Sequence, residues 1–139
     1  MNALKKVLAL ILSLIAIAVL FQLLFSPFYP DTVDINWTWN VLNWFIAFGV
    51  AVALIATYLN KRGLSAGSST GREYIFANTA FYAAAVLAIW FFWNWFDDLT
   101  VGEEGQSELR LIFWSYINPL FIILMGTVSA RLWRDASRT

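Results

Sequence analysis

Histidine and cysteine are both absent from this sequence. Without cysteine there is no disulfide framework, no thiolate nucleophile and no thiolate ligand for a metal. Without histidine the chain lacks the commonest metal ligand and the usual general base near neutral pH. These absences exclude a self-contained haem site with a histidine ligand, a zinc site of cysteine and histidine, and a Ser-His-Asp triad. We therefore expect no catalysis by the chain alone, no cofactor and no bound metal.

Charge is the next scarce property. Only 13% of the 139 residues are charged and 60% are hydrophobic, whereas a soluble domain carries about 25% charged residues. The mean hydropathy is +0.67. A short chain has too little interior to hide so much apolar surface from water, so we predict an all-α integral membrane protein. Nine basic and nine acidic residues cancel, and no global field favours nucleic acid as a partner.

Four apolar stretches are long enough to cross a bilayer. A hydrocarbon core of about 30 Å requires about 20 apolar residues in a helix. The predicted spans are residues 7–25, 38–59, 74–96 and 110–132. The three connections between them are too short to form a domain. We therefore predict that residues 1–139 make one transmembrane domain, a four-helix up-down bundle.

The basic and acidic residues lie in different connections, which predicts the orientation of the helices. Eight of the nine basic residues lie in the N-terminal segment, the middle connection and the C-terminal tail: Lys5, Lys6, Lys61, Arg62, Arg72, Arg131, Arg134 and Arg138. The other two connections hold seven of the nine acidic residues. Basic residues in short loops stay on the cytoplasmic side. The pattern predicts that both termini are inside, in a multi-pass protein of the bacterial cytoplasmic (inner) membrane.

Tryptophan is concentrated at the predicted outer side. Seven of the eight tryptophans lie there: Trp37, Trp39, Trp44, Trp90, Trp93, Trp95 and Trp114. An interfacial belt accounts for such residues, since the indole ring is apolar and its N–H needs a partner. A plain belt would mark both leaflets, however. The alternative to a belt is that these seven residues form an outer-leaflet binding surface, either a quinone or lipid groove or the contact face of a partner subunit.

Amides are the main polar side chains within the spans. Asn36, Asn40 and Asn43 follow an i, i+4, i+7 spacing that places them on one helix face. Asn118 precedes Pro119, which removes one helical hydrogen bond and should bend the fourth helix. Buried amides in membranes usually bond to a neighbouring helix, so we predict interhelical contacts from Asn40, Asn43 and Asn118.

Ionisable side chains are missing from the middle of every predicted span. Proton-coupled transporters normally carry one there, so this absence argues against an exporter. Arg110 is the one basic residue at the outer side and begins the fourth span, where the helix dipole disfavours a cation. We predict that Asp97 or Asp98, at the end of the third span, pairs with it.

Three functions remain open at this stage. The favoured expectation is a non-catalytic accessory or structural subunit of a larger membrane complex of respiratory or membrane-oxygenase type, with other integral membrane subunits as partners. Small residues at four-residue spacing, such as Gly126 and Ala130, would let partner helices approach closely. The alternative is a small carrier or binder of a hydrophobic ligand, a quinone or a membrane lipid, at the outer leaflet. An enzyme that uses the carboxylates of the 97–108 connection is the weakest option, because exposed carboxylates lack perturbed pKa values.

Overall fold

Four long helices make up most of the described chain. The computed structural model describes residues 1–65, 71–102 and 107–138. The helices are α1 (Asn2–Phe25), α2 (Ile35–Ser65), α3 (Gly71–Val101) and α4 (Glu108–Ser137). Each is long and apolar enough to cross a membrane, which suggests a multi-pass membrane protein. The predicted all-helical fold class is confirmed. Each helix extends beyond its predicted span, because the backbone stays helical where the side chains become polar.

The first connection is ordered by local hydrogen bonds. A short 3-10 helix, Ser26–Phe28, follows α1 and contains a proline. Downstream of it, the Tyr29 hydroxyl donates to Gln22 Oε1 over 2.9 Å and so ties the connection back to α1. The Asp34 carboxylate accepts a hydrogen bond from the Trp37 backbone N–H. An N–H in the first turn of a helix has no partner within that helix, so an aspartate in this position caps α2 and explains its start at Ile35.

The α3 and α4 ends carry equally local signals. Gly102 follows α3 with a φ of +78°, and its N–H bonds to the Asp98 carbonyl over 2.9 Å. Glycine reaches this left-handed conformation without steric cost, so it ends the helix. Ser107 caps α4, and its side chain accepts a hydrogen bond from the Arg110 N–H. Residues 103–106 lie outside the described residues, and so does part of the carboxylate site considered for an enzyme.

The core is built mainly by two pairs of helices. α1 packs most extensively on α4 and α2 on α3, whereas α1 and α2 touch only lightly. Ser13 on α1 donates to Ser129 on α4 over 3.1 Å. α2 approaches α4 at Gly49, where a Cβ would lie 3.1 Å from the Phe121 ring. In a membrane such close packing, rather than removal of apolar surface from water, holds helices together.

The two ends of the molecule differ in charge. One, here called the acidic end, joins the C-terminal parts of α1 and α3 to the N-terminal parts of α2 and α4, and it carries Asp97 and Asp98. The opposite basic end carries Lys5, Lys61 and Arg131. This separation follows directly from the order of the charges along the chain.

Candidate functional site: an amide-lined cavity at the acidic end

A cavity of about 360 Å³ opens between α1, α2 and α4 at the acidic end. Its wall combines apolar, aromatic and amide side chains with one carboxylate. It is lined by Leu23, Ser26, Ile35, Asn36, Trp39, Asn40, Asn43, Asp98, Leu111, Trp114, Ser115 and Asn118. Seven of these twelve residues are polar, so the cavity is more polar than the usual small-molecule site, which is mostly apolar with a few polar groups.

The asparagine row of α2 lines this cavity along its depth. Asn36, Asn40 and Asn43 face the same space, as their helical spacing predicts. Asn36 and Asn40 are exposed at its mouth, whereas Asn43 is 6% exposed. Asn40 therefore lies at the open side of the cavity, and its predicted interhelical contact stays a prediction.

Asn118 comes from α4 and completes the deep part of the cavity. It is 6% exposed, and α4 continues as a helix through the following proline. Within the described part of the chain, Asn118 Oδ1 has no hydrogen-bond partner. This oxygen therefore forms no bond to another described helix, whereas the predicted interhelical contact from Asn118 stays a prediction. A buried amide oxygen without a donor costs about 1–3 kcal/mol, so this atom is suited to accept a bond from a ligand or a water.

An ion pair links α3 to α4 beside the cavity. Arg110 Nε lies 2.6 Å from Asp97 Oδ2, and the two side chains are 19% and 29% exposed. Asp97 is one of the two partners that the sequence predicts for Arg110. The Arg110 guanidinium also lies 5.9 Å from the centre of the Trp93 ring. This half-buried contact is shielded from water more than a typical surface pair.

Asp98 has a different role from its neighbour. Its Oδ2 accepts a hydrogen bond of 3.0 Å from the Trp114 indole N–H. Adjacent residues in a helix point about 100° apart, so the two aspartates bind different partners on α4. Trp114 is half-buried and lines the cavity. Asp98 thereby fixes the indole ring in the cavity wall.

The tryptophans do not all belong to one exposed surface. Trp37, Trp44 and Trp93 are 65%, 64% and 58% exposed, whereas Trp39, Trp90 and Trp114 are half-buried. Trp95 is only 4% exposed, so its assignment to a contact surface is wrong. Its ring stacks on Phe91 and meets Trp44 edge to face at 4.8 Å. In a helical run of aromatic residues, one side of the run has to face the core.

Asn94 and Arg131 are two polar residues whose contacts the sequence analysis did not predict. Asn94 is 1% exposed and donates to the Trp90 carbonyl over 2.8 Å. Its position inside an aromatic run was the only available signal. Arg131 reaches from α4 across to the Ala56 carbonyl of α2 over 3.2 Å. It stands at the end of an apolar span, where an arginine is ordinarily assigned to the membrane surface.

The described residues at the acidic end offer groups that can bind a small molecule. Among residues 1–65, 71–102 and 107–138 there is no group of three or more side chains arranged to hold a metal ion. The cavity instead offers amide donors and acceptors, one carboxylate and two indole rings. Such groups can hold the polar end of an amphiphilic molecule by hydrogen bonds, and the indole rings can hold its ring or chain by van der Waals contact.

The chain was also compared with known proteins. No protein-family model, no curated protein and no solved structure matches it. Its function therefore has to be inferred from its own residues.

Proposed function

We propose that the chain is a non-catalytic accessory subunit of a larger membrane protein complex, assembled with other integral membrane subunits. The observation that carries this proposal is the outward position of Gly126 and Ala130 on α4. Both are exposed, and a Cβ at Gly126 would have no heavy atom within 4 Å. Glycine and alanine four residues apart allow a second helix to approach the backbone closely.

Two small residues on α2 and α3 have a different environment. Gly49 lies against Phe121 inside the chain, and Ala84 is 1% exposed. These small side chains are used for packing between helices of the same chain. Within the described chain, a Cβ at Gly126 would touch no neighbouring helix, and lipid alone does not require a small-residue face. A helix of a partner subunit fits the open face best.

A bulky substitution on the Gly126–Ala130 face of α4 tests the proposal. Gly126→Leu should leave the isolated chain folded, because Gly126 is exposed and a Cβ added there would meet nothing within 4 Å beyond the backbone of its own helix. It should also reduce recovery of partner subunits severalfold in gentle-detergent purification, measured by mass analysis of the intact assembly. Ala51→Leu, at an exposed small residue on α2, is the matched control. Equal recovery of partners with both variants would contradict the proposal.

The orientation that goes with this proposal has both termini in the cytoplasm of a bacterial inner membrane. It is supported by the eight-to-one division of basic residues between the two predicted sides. A reporter fused after Thr139 should read as cytoplasmic, and one inserted after Gly105 should read as external. The reverse result for either fusion would contradict this topology.

A second candidate function is the binding of a quinone or a lipid head group in the acidic-end cavity. The observation that favours it is the buried Asn118 oxygen, which accepts no hydrogen bond from the described chain and faces about 360 Å³ of space. In the same purification, this function would appear as a stoichiometric small molecule on an otherwise solitary chain. Asn118→Leu should then release that molecule, while Gly126→Leu should retain it.

A further inference from the structure

Arg131 occupies an unusual position at the basic end. Its side chain is 22% exposed, and one guanidinium nitrogen donates to the Ala56 carbonyl of α2 over 3.2 Å. Its Nε is buried and has no hydrogen-bond partner among the described residues. Asp135, one turn away, lies 4.0 Å from this nitrogen, which is too far for a hydrogen bond. A guanidinium held in this way retains donors for an additional acceptor.

Arg131 separates two cavities of different character. On one side lies an apolar groove of about 590 Å³ between the basic ends of α1 and α2, with Leu4, Leu8 and Ile55 in its wall. On the other side lies a polar cavity of about 610 Å³ bordered by α3 and α4. Arg131 belongs to the wall of both. An apolar groove with a half-buried cation in its wall matches a molecule with a long chain and an anionic head.

The charges around the two cavities favour an anion. Four basic side chains line them, namely Lys5, Arg131, Arg134 and Arg138, against the two carboxylates of Glu73 and Asp135. Lys6, Lys61, Arg62 and Arg72 lie at the same end of the chain. Basic clusters beside membrane spans attract anionic phospholipids electrostatically. An arginine fork can also bind a phosphate through two parallel hydrogen bonds.

We propose that the basic end binds one anionic phospholipid, with its phosphate on the Arg131 guanidinium and an acyl chain in the groove between α1 and α2. Lys5 and Arg134 surround the head group from α1 and α4. The light contact between α1 and α2 leaves room for the chain. The bound lipid fills the groove between α1 and α2, which the protein's own side chains leave open.

The proposal is tested by titrating the full chain, purified in mild detergent, with dioleoyl phosphatidylglycerol. Bound lipid is counted by native mass spectrometry, with dioleoyl phosphatidylcholine and inorganic phosphate as the comparison ligands. We expect retention of phosphatidylglycerol at concentrations where phosphatidylcholine is lost. Equal retention of phosphatidylcholine would overturn the proposal. Full displacement of phosphatidylglycerol by millimolar phosphate would overturn it too, because it would indicate a site for a soluble anion.

Variants test the assigned residues. Arg131→Gln should weaken phosphatidylglycerol binding by about tenfold, as expected for a lost charge-assisted contact. Because this variant also changes the bond to Ala56, Lys5→Gln combined with Arg134→Gln provides a second test. Removing these two charges should weaken binding by about 25-fold, at about fivefold each.

The matched control removes two basic residues of the same end that lie outside both cavities. Lys6→Gln combined with Arg62→Gln should weaken binding by less than about fivefold, since neither side chain lines a cavity and charges outside the site are partly screened at physiological salt. Unchanged circular dichroism would verify that each variant is folded. An equal loss of binding in both double variants would overturn the site, because it would indicate a diffuse charge effect.

Discussion

Gly49→Leu should be the most damaging single substitution tested in this chain. Gly49 is buried on α2, and a Cβ added to it would lie 3.1 Å from the Phe121 ring and 3.3 Å from Met125 Sδ. Both neighbours are fully buried on α4, so they have little room to move. Overpacking of this kind costs about 1–3 kcal/mol, and more where the site cannot relax. Titration of the purified protein with denaturant in detergent, monitored by tryptophan fluorescence, would measure the loss of stability.

The control for Gly49 is the glycine on the outer face of α4. Gly126→Leu introduces the same side chain where a new Cβ would meet nothing within 4 Å beyond the backbone of its own helix. The denaturant midpoint of this variant should therefore equal that of the parent protein within error. Adding Phe121→Ala to Gly49→Leu should cost less than the sum of the two single changes, because neighbouring sites couple. Simple additivity, or equal stability of the two leucine variants, would show that α2 and α4 do not meet at this point.

Arg110→Asp should give the second-largest loss, at the acidic end. It replaces the guanidinium, whose Nε lies 2.6 Å from Asp97 Oδ2, with a second carboxylate. The ion pair is lost and two negative charges then face each other. Exposed pairs contribute about 0–1 kcal/mol and broken buried pairs cost about 3–5 kcal/mol. The Arg110–Asp97 pair, with side chains 19% and 29% exposed, is intermediate between exposed and buried pairs. We therefore expect the free energy of unfolding to fall by about 2 kcal/mol. The same denaturant titration would report it as a lower midpoint.

A reciprocal exchange separates pairing from simple loss of charge. Asp97→Arg combined with Arg110→Asp should recover at least half of the stability lost by either single change. Glu108→Gln is the control, since Glu108 is exposed in the first turn of α4 and its effect on the helix dipole is only about 0.3–1 kcal/mol. Failure of the exchange to restore stability would mean that the ion pair does not hold α3 to α4.

The number and type of the helices follow from the sequence for a local reason. Each predicted span is an apolar run whose length alone indicates a membrane-crossing helix, and the four helices contain these runs. The helix ends also carry local signals, such as Asp34 before α2 and Gly102 after α3. Because capping acts within a few residues of the chain, no tertiary contact is needed to understand it.

Part of the acidic end could be predicted as well. The 97–110 segment joins the end of α3 to the start of α4 through a connection short enough to bring the two helix ends together. An arginine near a helix start favours a nearby carboxylate, and Arg110 does pair with Asp97. Which aspartate pairs with it depends on the rotation of α3 against α4. That rotation leaves Asp98 to bind the Trp114 indole.

The sequence by itself determined four apolar helical segments, the separation of basic from acidic ends and the one-sided distribution of tryptophan. Only the tertiary structure decided which faces are inside: it buries Trp95, leaves Gly126 open and joins Asn43 to Asn118 in one cavity. The physical reason is that the core and the outside of a membrane protein are both apolar. Helical periodicity, which separates a core face from a watery face in soluble proteins, therefore carries little information here. Close packing between small and large side chains sets the arrangement instead.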